Sequence, residues 1–427
     1  MKLTVLGLGY IGLPTAVMFA KHGVQVHGVD VNKQVVEMLN RKELHIEEPG
    51  LPEMLAEVID NGRLTVSTET KEADAFIISV PTPINADRSA NLDYVRSATE
   101  MILPVVKKGD LVILESTVPP KTIENIMMPV LEKTGFVFGE ELFISHSPER
   151  VLPGKLFEEL VSNDRIVGGI NEKSSQMTVD LYKHFVKGEI HVTDSTTAEM
   201  VKLMENTYRD INIAYANELA RIAEKLDFNV WEAIDLANCH PRVNIHKPGP
   251  GVGGHCIAVD PYFIIEQAPE EAKLITLARE INTSTPEAVV NLAVNAVKEI
   301  NNPTISVFGL AFKGNIDDMR ESPSVEIVEM LEEKGFHLKV YDPYVKGEYN
   351  HKANTVEEAL ENSDLMFVLT DHNVFKDLDF NALKGVMRTP RILDTRNLLS
   401  TLNITEAGFD YIQVGSLLQR GGACDIN

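Results

Sequence analysis

One cysteine, Cys256, sits in the stretch PGPGVGGHCIAVDPYF (248–263), behind four glycines and four residues ahead of Asp260. A thiol so placed has three ordinary uses: a small buried hydrophobe, a metal ligand or a nucleophile. The stretch alone leaves all three open. A second group lies on the Gly- and Pro-free run TAEMVKLMENTYRDINIAYANELARIAEKL, where Lys202, Asn206 and Arg209 recur at i, i+4 and i+7. That spacing puts an amine, an amide and a guanidinium on one helix face. Amphipathicity by itself accounts for such a face as a solvated one. A third group opens the chain. In VLGLGYIGLP, Gly7, Gly9 and Gly12 form G-x-G-x-x-G between a strand and a helix, which lets the backbone approach a pyrophosphate at the helix N-terminus. The next strand ends at Asp30, placed to accept hydrogen bonds from an adenosine ribose and to repel a 2′-phosphate, which selects NAD over NADP.

The elements that carry these groups are legible as alternation. The runs KLTVLGLG, VQVHGVD, RLTVST, AFIISVP, LVILEST and LFISHS are separated by amphipathic stretches such as 32–41 and 93–106. This predicts parallel strands with crossover helices, a doubly wound α/β domain. Two strand exits, SVPTPI and LESTVPP, place Thr82, Ser116 and Thr117 at the carboxyl edge of the sheet, where such folds bind ligands; turn chemistry is the competing explanation. From about 196 one long helix runs to about Leu226, with further helical segments after it. NNPT near residue 301 then opens a second α/β series: TISVFGL, HLKVYDP, DLMFVLTDH and RILDT. We expect two Rossmann-like doubly wound domains, 1–195 and 301–427, joined by a long central helix and helical connector, 196–300.

Composition narrows the function class. The chain has 427 residues, more than one core usually serves. A formal charge of −23 repels polyanions, so nucleic acid and anionic membranes are not expected partners, and any anionic ligand must be held by local devices. Cys239, Cys256 and Cys424 have no zinc spacing and cannot all pair with one another, and MKLTVLGLGYIGLP lacks a cleavage site. A cytoplasmic protein with reduced thiols is expected, with no metal among its twelve histidines. Cys239 reads as a core thiol and Cys424 as a tail thiol. Trp231 reads as core or interface, and EEPGLPEMLAE as a solvated turn and helix start.

Taken in order, GLGYIGLPTA, VPTP, ILEST, SPERVLPG, AEMVKLMENTYRDINIAYANEL, HPRVN, PGPGVGGHCIAVDP and FGLAFKGNIDDMRESPS resemble the UDP-glucose/GDP-mannose dehydrogenase family over nearly the whole chain. ERVLPG, HPRVN and GGHCIAVDP lie nearest the branch that acts on UDP-N-acetyl-D-mannosamine. The UDP-glucose branch more often has Pro-Lys where Ala258-Val259 stand here. The resemblance implies oxidation of a sugar C6 alcohol to a carboxylate in two hydride transfers to NAD. An aldehyde has a second hydride to give only after a nucleophile adds, and a cysteine thiolate supplies it through a thiohemiacetal and a thioester.

By position, the resemblance makes Cys256 the nucleophile and Lys202 with Asn206 the oxyanion donors. Lys202 also favours the thiolate, and Asp260 with Lys202 organises the water that takes the alcohol proton. Glu149 becomes the base on the hydrolytic water, with an ion pair to Arg150 or Lys155 as the alternative, and Thr117 lies near this water and the nicotinamide. Gly7, Gly9, Tyr10, Ile11, Gly12, Asp30, Thr82, Ser116, Thr117 and Arg320 are the expected NAD residues. Arg150, Val151, Arg209, Arg242, His246, Gly253, Lys313 and Arg396 join Glu149, Lys202 and Asn206 around the UDP-sugar. Arg242 is expected to enter a neighbouring subunit's site, which implies a homodimer or higher homo-oligomer. The glycines at 249, 251, 253 and 254 are expected to let backbone approach the UDP, and His255 to help bind sugar. Other sugars, UDP-N-acetylglucosamine or UDP-glucose, remain alternatives. So do an alcohol dehydrogenase that stops at aldehyde and needs no thiol, and a non-catalytic regulator that binds NAD and UDP-sugar.

Overall fold

The computed structural model describes residues 1–416 apart from 152, 153 and 255, so His255 and Cys424 lie outside the described residues. Two compact units divide the chain: Met1–Glu205 with Tyr262–Pro269, and Asn206–Pro261 with the chain from Glu270 onward.

The first unit holds eight strands: β1 (Lys2–Leu6), β2 (Gln25–Val29), β3 (Leu64–Ser67), β4 (Ala75–Ile78), β5 (Leu111–Leu114), β6 (Phe143–His146), β7 (Arg165–Gly169) and β8 (Ile190–Asp194). Their order is β3-β2-β1-β4-β5-β6-β7-β8, so the strand sequence reverses direction between β1 and β4. The central strands read as continuous apolar runs because both faces are covered. Leu3, Val5, Ala75, Ile77, Leu111 and Ile113 enter one core, while Leu6, Phe76, Ile78, Val112 and Leu114 enter the other.

Two strands fall outside the expected set. β7, RIVGG, ends in glycines, and β8, IHVTD, is a largely exposed edge strand, so neither makes an apolar run. β7 also lies antiparallel to β6 over the pairs Ser145↔Gly169 and His146↔Gly168, which departs from the all-parallel expectation. An antiparallel neighbour needs no crossover helix to bring it alongside.

The second unit holds β9 (Thr304–Phe308), β10 (His337–Tyr341), β11 (Leu365–Val368), β12 (Arg391–Asp394) and β13 (Asp410–Gln413) in the order β10-β9-β11-β12-β13, all parallel. Ile305, Val307, Leu365 and Phe367 face one core, and Phe308, Met366 and Val368 the other. β13, a four-residue edge strand with polar ends, was not in the expected series. The long helix runs Ser195–Leu226, close to its predicted span. Trp231 is buried as expected, its indole N–H donating to Val414 O at 2.8 Å.

Candidate active site

The glycine turn is set by crowding. Gly7 has φ +88°, and a Cβ there would strike the Ser79 carbonyl just past β4; a Cβ on Gly12 would strike Gly7 O. Gly9 differs, because a Cβ there would meet no heavy atom within 4 Å. Its open face borders the N-terminus of the helix Gly12–Lys21. Asp30 follows β2, accepting from the Leu8 N–H at 3.0 Å and the Asn32 N–H at 2.9 Å while remaining half-buried. Tyr10 is exposed and Ile11 half-buried on the same turn. The Thr82 hydroxyl donates to Thr117 O at 2.6 Å, and Ser116 Oγ accepts from Val80 N–H at 2.9 Å. These hydroxyls tie the β4 and β5 exits together, and Thr117 is left half-buried at the rim.

Lys202, on the long helix, acts on a histidine that sequence reasoning passed over. Burial, with the Lys202 charge adding to it, pushes His146 at the end of β6 down to about 3, so the imidazole is neutral at physiological pH. One turn before Lys202, Glu199 accepts from Lys121 N–H at 2.5 Å and Ile123 N–H at 2.9 Å. It anchors the loop that follows Thr117 to the long helix, and burial raises its carboxyl to about 7.

Glu149 is buried, and its ion-pair partner is neither Arg150 nor Lys155. Glu149 Oε2 pairs with the Arg165 guanidinium of β7, while Oε1 accepts from the Arg150 backbone N–H at 2.8 Å. The Arg150 side chain instead meets Glu205 at 2.7 Å, and Val151 packs half-buried against the core. Glu48 corrects the reading of the acidic run. It is buried, accepting from Gly154 N–H at 2.8 Å and Leu156 N–H at 3.0 Å, and so fastens the segment that follows Glu149.

In the second unit the thiol stretch forms a closed turn. Cys256 is exposed, and its carbonyl accepts from Asp260 N–H at 2.8 Å and from Val259 N–H at 3.1 Å. Asp260 is buried and begins the helix Asp260–Gln267; Asn206 Nδ2 donates to its Oδ2 at 2.6 Å. Fifty-four residues of sequence separate that pair. Arg209 is exposed, and burial, with Arg209 adding to it, lowers His246, whose ring meets Tyr208 edge-on at 6.2 Å. Arg242 is exposed in a segment without helix or strand.

The glycines of this stretch are required by the chain itself. A Cβ on Gly249 would strike the Arg396 guanidinium, one on Gly253 would lie 2.7 Å from Phe312 Cβ, and one on Gly254 would lie 2.9 Å from the Phe312 ring. Protein atoms occupy the space that a side chain at these positions would need. Asn217 fixes the loop by accepting from Gly249 N–H at 2.9 Å, and it donates to Asn282 at 3.2 Å. Asn282 in turn donates to Asp210, which pairs with Arg279 at 2.6 Å. None of these four was legible, since a polar residue in a helix looks the same whether it faces water or a core. Lys313 is exposed, Arg320 forms two bonds to Asp318 at 2.9 and 2.7 Å, and Arg396 meets Asp371 at 3.1 Å. Cys239 is exposed rather than a core thiol; it caps the helix Val230–Asn238 and donates to Asp235 O at 3.4 Å.

Three sequence patterns of one family match in succession: its NAD binding domain over residues 1–186, its central domain over 196–284 and its UDP binding domain over 306–401. The chain belongs to the UDP-glucose/GDP-mannose dehydrogenase family. It is 48% identical over 424 residues to a UDP-N-acetyl-D-mannosamine dehydrogenase of Methanococcus maripaludis, covering 97% of each chain. Among solved structures it resembles that of the UDP-D-ManNAc dehydrogenase of Pyrococcus horikoshii (TM-score 0.91, 42% identity, 97% of this chain and 99% of that one). It also resembles a UDP-N-acetyl-mannosamine dehydrogenase of Staphylococcus aureus (TM-score 0.88, 48% identity, 97% and 99%). The first unit therefore carries the family's NAD binding domain, and its residues fit that cofactor. Gly9 leaves open space at a helix N-terminus for a pyrophosphate, and Asp30 keeps a half-buried carboxylate for a ribose diol.

Proposed function

We propose that this protein oxidises the C6 alcohol of UDP-N-acetyl-D-mannosamine to the carboxylate, using NAD. The observation that carries the reading is the Cys256–Asp260 turn, with Asn206 donating to the buried Asp260. An enzyme that stopped at the aldehyde would have no use for a thiol beside that acid. The substrate follows from the names borne by relatives at 48% and 42% identity.

NAD, when bound, supplies the acceptor for the hydride that leaves C6 at each of the two oxidations. The chain's own residues do the rest. Asp260, with Lys202, holds the water that takes the proton of the C6 hydroxyl. Cys256 Sγ adds to the aldehyde carbon, and Lys202 and Asn206 donate to the oxygen that gains charge, a stabilisation of about 3 kcal/mol per well-placed donor. The second oxidation leaves a thioester on Sγ. Glu149 then takes a proton from water, which attacks the thioester and releases the acid.

The same reading divides the chain into 1–195 for NAD, 196–300 for chemistry and subunit contact, and 301–427 for the UDP-sugar, with Lys313 and Arg396 supplying cationic groups to the UDP-sugar and Arg320 to the NAD phosphates. A homodimer is supported by exposed Met204, Tyr208, Tyr215, Ile222 and Leu226, which fall on one stripe of the long helix. Exposed Arg242 reaches the neighbouring site in this reading. A reducing compartment, the cytoplasm, suits a reduced nucleophilic thiol; no described helix is long and apolar enough to cross a membrane.

Incubation with NAD and each of UDP-N-acetyl-D-mannosamine, UDP-N-acetylglucosamine and UDP-glucose tests the assignment. Two NADH per molecule of the first sugar are expected, and none from Cys256→Ala beyond the aldehyde stage. A strict preference for UDP-glucose would overturn the sugar, unchanged acid yield in the variant would overturn the thiol, and ligand binding without NADH would favour a regulator.

A further inference from the structure

The first unit buries a charged cluster that the oxidation steps do not use. Arg165 and Glu115 are almost wholly buried, as is Glu149. Arg165 is shared. One arm pairs with Glu149 Oε2; the other lies 3.4 Å from Glu115 Oε1 and donates to Ser147 Oγ at 3.1 Å. Its guanidinium stacks on the Tyr182 ring at 4.0 Å, and the Tyr182 hydroxyl donates to Glu115 Oε1 at 2.9 Å. The second Glu115 oxygen faces Thr15 Oγ1 at 3.4 Å, on the helix that follows the glycine turn. Two carboxylates thus compete for one cation in a place with little exposure to solvent.

We propose that Arg165 is a positioning residue for Glu149, and that Glu115, by competing for the same guanidinium, adjusts how strongly Glu149 draws the proton from the hydrolytic water. The inference rests on the role given to Glu149 above. In that step the water oxygen bonds to the thioester carbon and its proton passes to Glu149. The C–S bond breaks, and Cys256 Sγ departs with the electron pair. A Glu149 carboxylate that has the whole guanidinium is a weaker base than one that shares it. Among the described residues, the polar and charged side chains facing Glu115 include Arg165, Glu149, Tyr182 and Thr15. Burial pushes the Glu115 carboxyl up to about 7, with Arg165 pulling it down and Glu149 adding to the rise. Below that pH Glu115 is neutral, Arg165 belongs to Glu149, and hydrolysis is slow. Above it Glu115 is charged, divides the guanidinium, and hydrolysis speeds up.

The test compares full-length wild type, Glu149→Gln, Glu115→Gln and Tyr182→Phe, each supplied with NAD and the UDP-sugar it oxidises fastest. The readouts are kcat and KM from pH 6 to 9 and the intact mass of quenched protein. Glu149→Gln is expected to accumulate an acyl adduct on Cys256. Glu115→Gln, isosteric and always neutral, is expected to accumulate the same adduct at pH 8. Its kcat there falls about tenfold, less than the 10²–10⁴ typical of losing a general base, its KM values stay within about twofold, and the rise of kcat through neutrality disappears. Tyr182→Phe removes a hydrogen bond that favours the Glu115 carboxylate, so the rise moves to higher pH; should Glu115→Gln fail to fold, this variant decides, and an unmoved rise overturns the inference. An adduct in Glu149→Gln together with a wild-type profile in Glu115→Gln overturns the inference alone. The absence of any adduct in Glu149→Gln overturns the role of Glu149, and the inference with it.

Discussion

Each sheet has a strand, a glycine turn and an acid at the end of the neighbouring strand, yet the two acids face different fates. GLGYIG at 7–12 and GLAFKG at 309–314 share their first, second and sixth residues, and Ala311 stands in place of Gly9. Gly7 presses on Ser79 past β4, and Gly309, at φ +95°, presses on Thr370 past β11. In the first unit Asp30 takes one N–H from the turn, remains half-buried, and has open space beside it at Gly9. In the second unit Asp342 is buried and accepts from the N–H groups of Leu310, Ala311, Tyr344 and Val345 at 2.7–3.1 Å. His372 adds a fifth bond at 3.0 Å. Because the Asn315 N–H donates to His372 Nδ1, the proton sits on Nε2 and points at Asp342. The difference teaches that an acid at this position serves a ligand only while its lone pairs are available. Once committed to backbone donors it becomes a structural post that braces the turn.

Four variants would break or sharpen that contrast. The largest effect is expected from Asp342→Asn, which leaves buried N–H groups short of an acceptor: a loss of about 3 kcal/mol in urea unfolding, with NAD affinity measured on the folded protein little changed. The acid limb gives a second readout. Against burial, His372 and the backbone donors hold Asp342 down at about 2 from an ordinary 3.8. Its contribution, about 2 kcal/mol, is therefore complete above pH ~4 and is lost as pH falls through about 2. Asp342→Asn should flatten that limb, and an unchanged acid limb would remove the post.

Asp30→Asn inverts the pattern. Stability should stay within about 1 kcal/mol of wild type while the Kd for NAD rises about tenfold or more, since a charge-assisted bond to a ribose hydroxyl is weakened. Calorimetric titration with NAD reads the change, and a fall in stability with unchanged affinity would erase the contrast. The smallest effect is expected from exchanging the third residue of the two turns. Gly9→Ala should raise the KM for NAD several-fold with unchanged stability, its methyl occupying open space. Ala311→Gly should leave KM alone and cost about 0.5–1 kcal/mol, through backbone freedom and a lost buried methyl.

Much of this was written in the chain. The G-x-G-x-x-G turn with Asp30, the long helix to Leu226, and the four-residue step from Cys256 to Asp260 depend on neighbours in sequence or on a local period, so residue types alone place them. The central strands were legible because burial on both faces leaves an unbroken apolar run; the edge strands β8 and β13 were not, because most of β8 and part of β13 face water. The choice of partner for a buried charge was not legible. Glu149 had Arg150 beside it and Lys155 one loop away, but it pairs with Arg165 because β7 folds back against β6. Glu48 looked solvated and is an acceptor inside the molecule, and Asn206 finds Asp260 across a gap of 54 residues. A local pattern fixes which face of an element a side chain occupies. Only the assembled sheets and helices decide what stands opposite that face, and in a buried place the opposing group sets whether a carboxylate is a base, a post or a proton store.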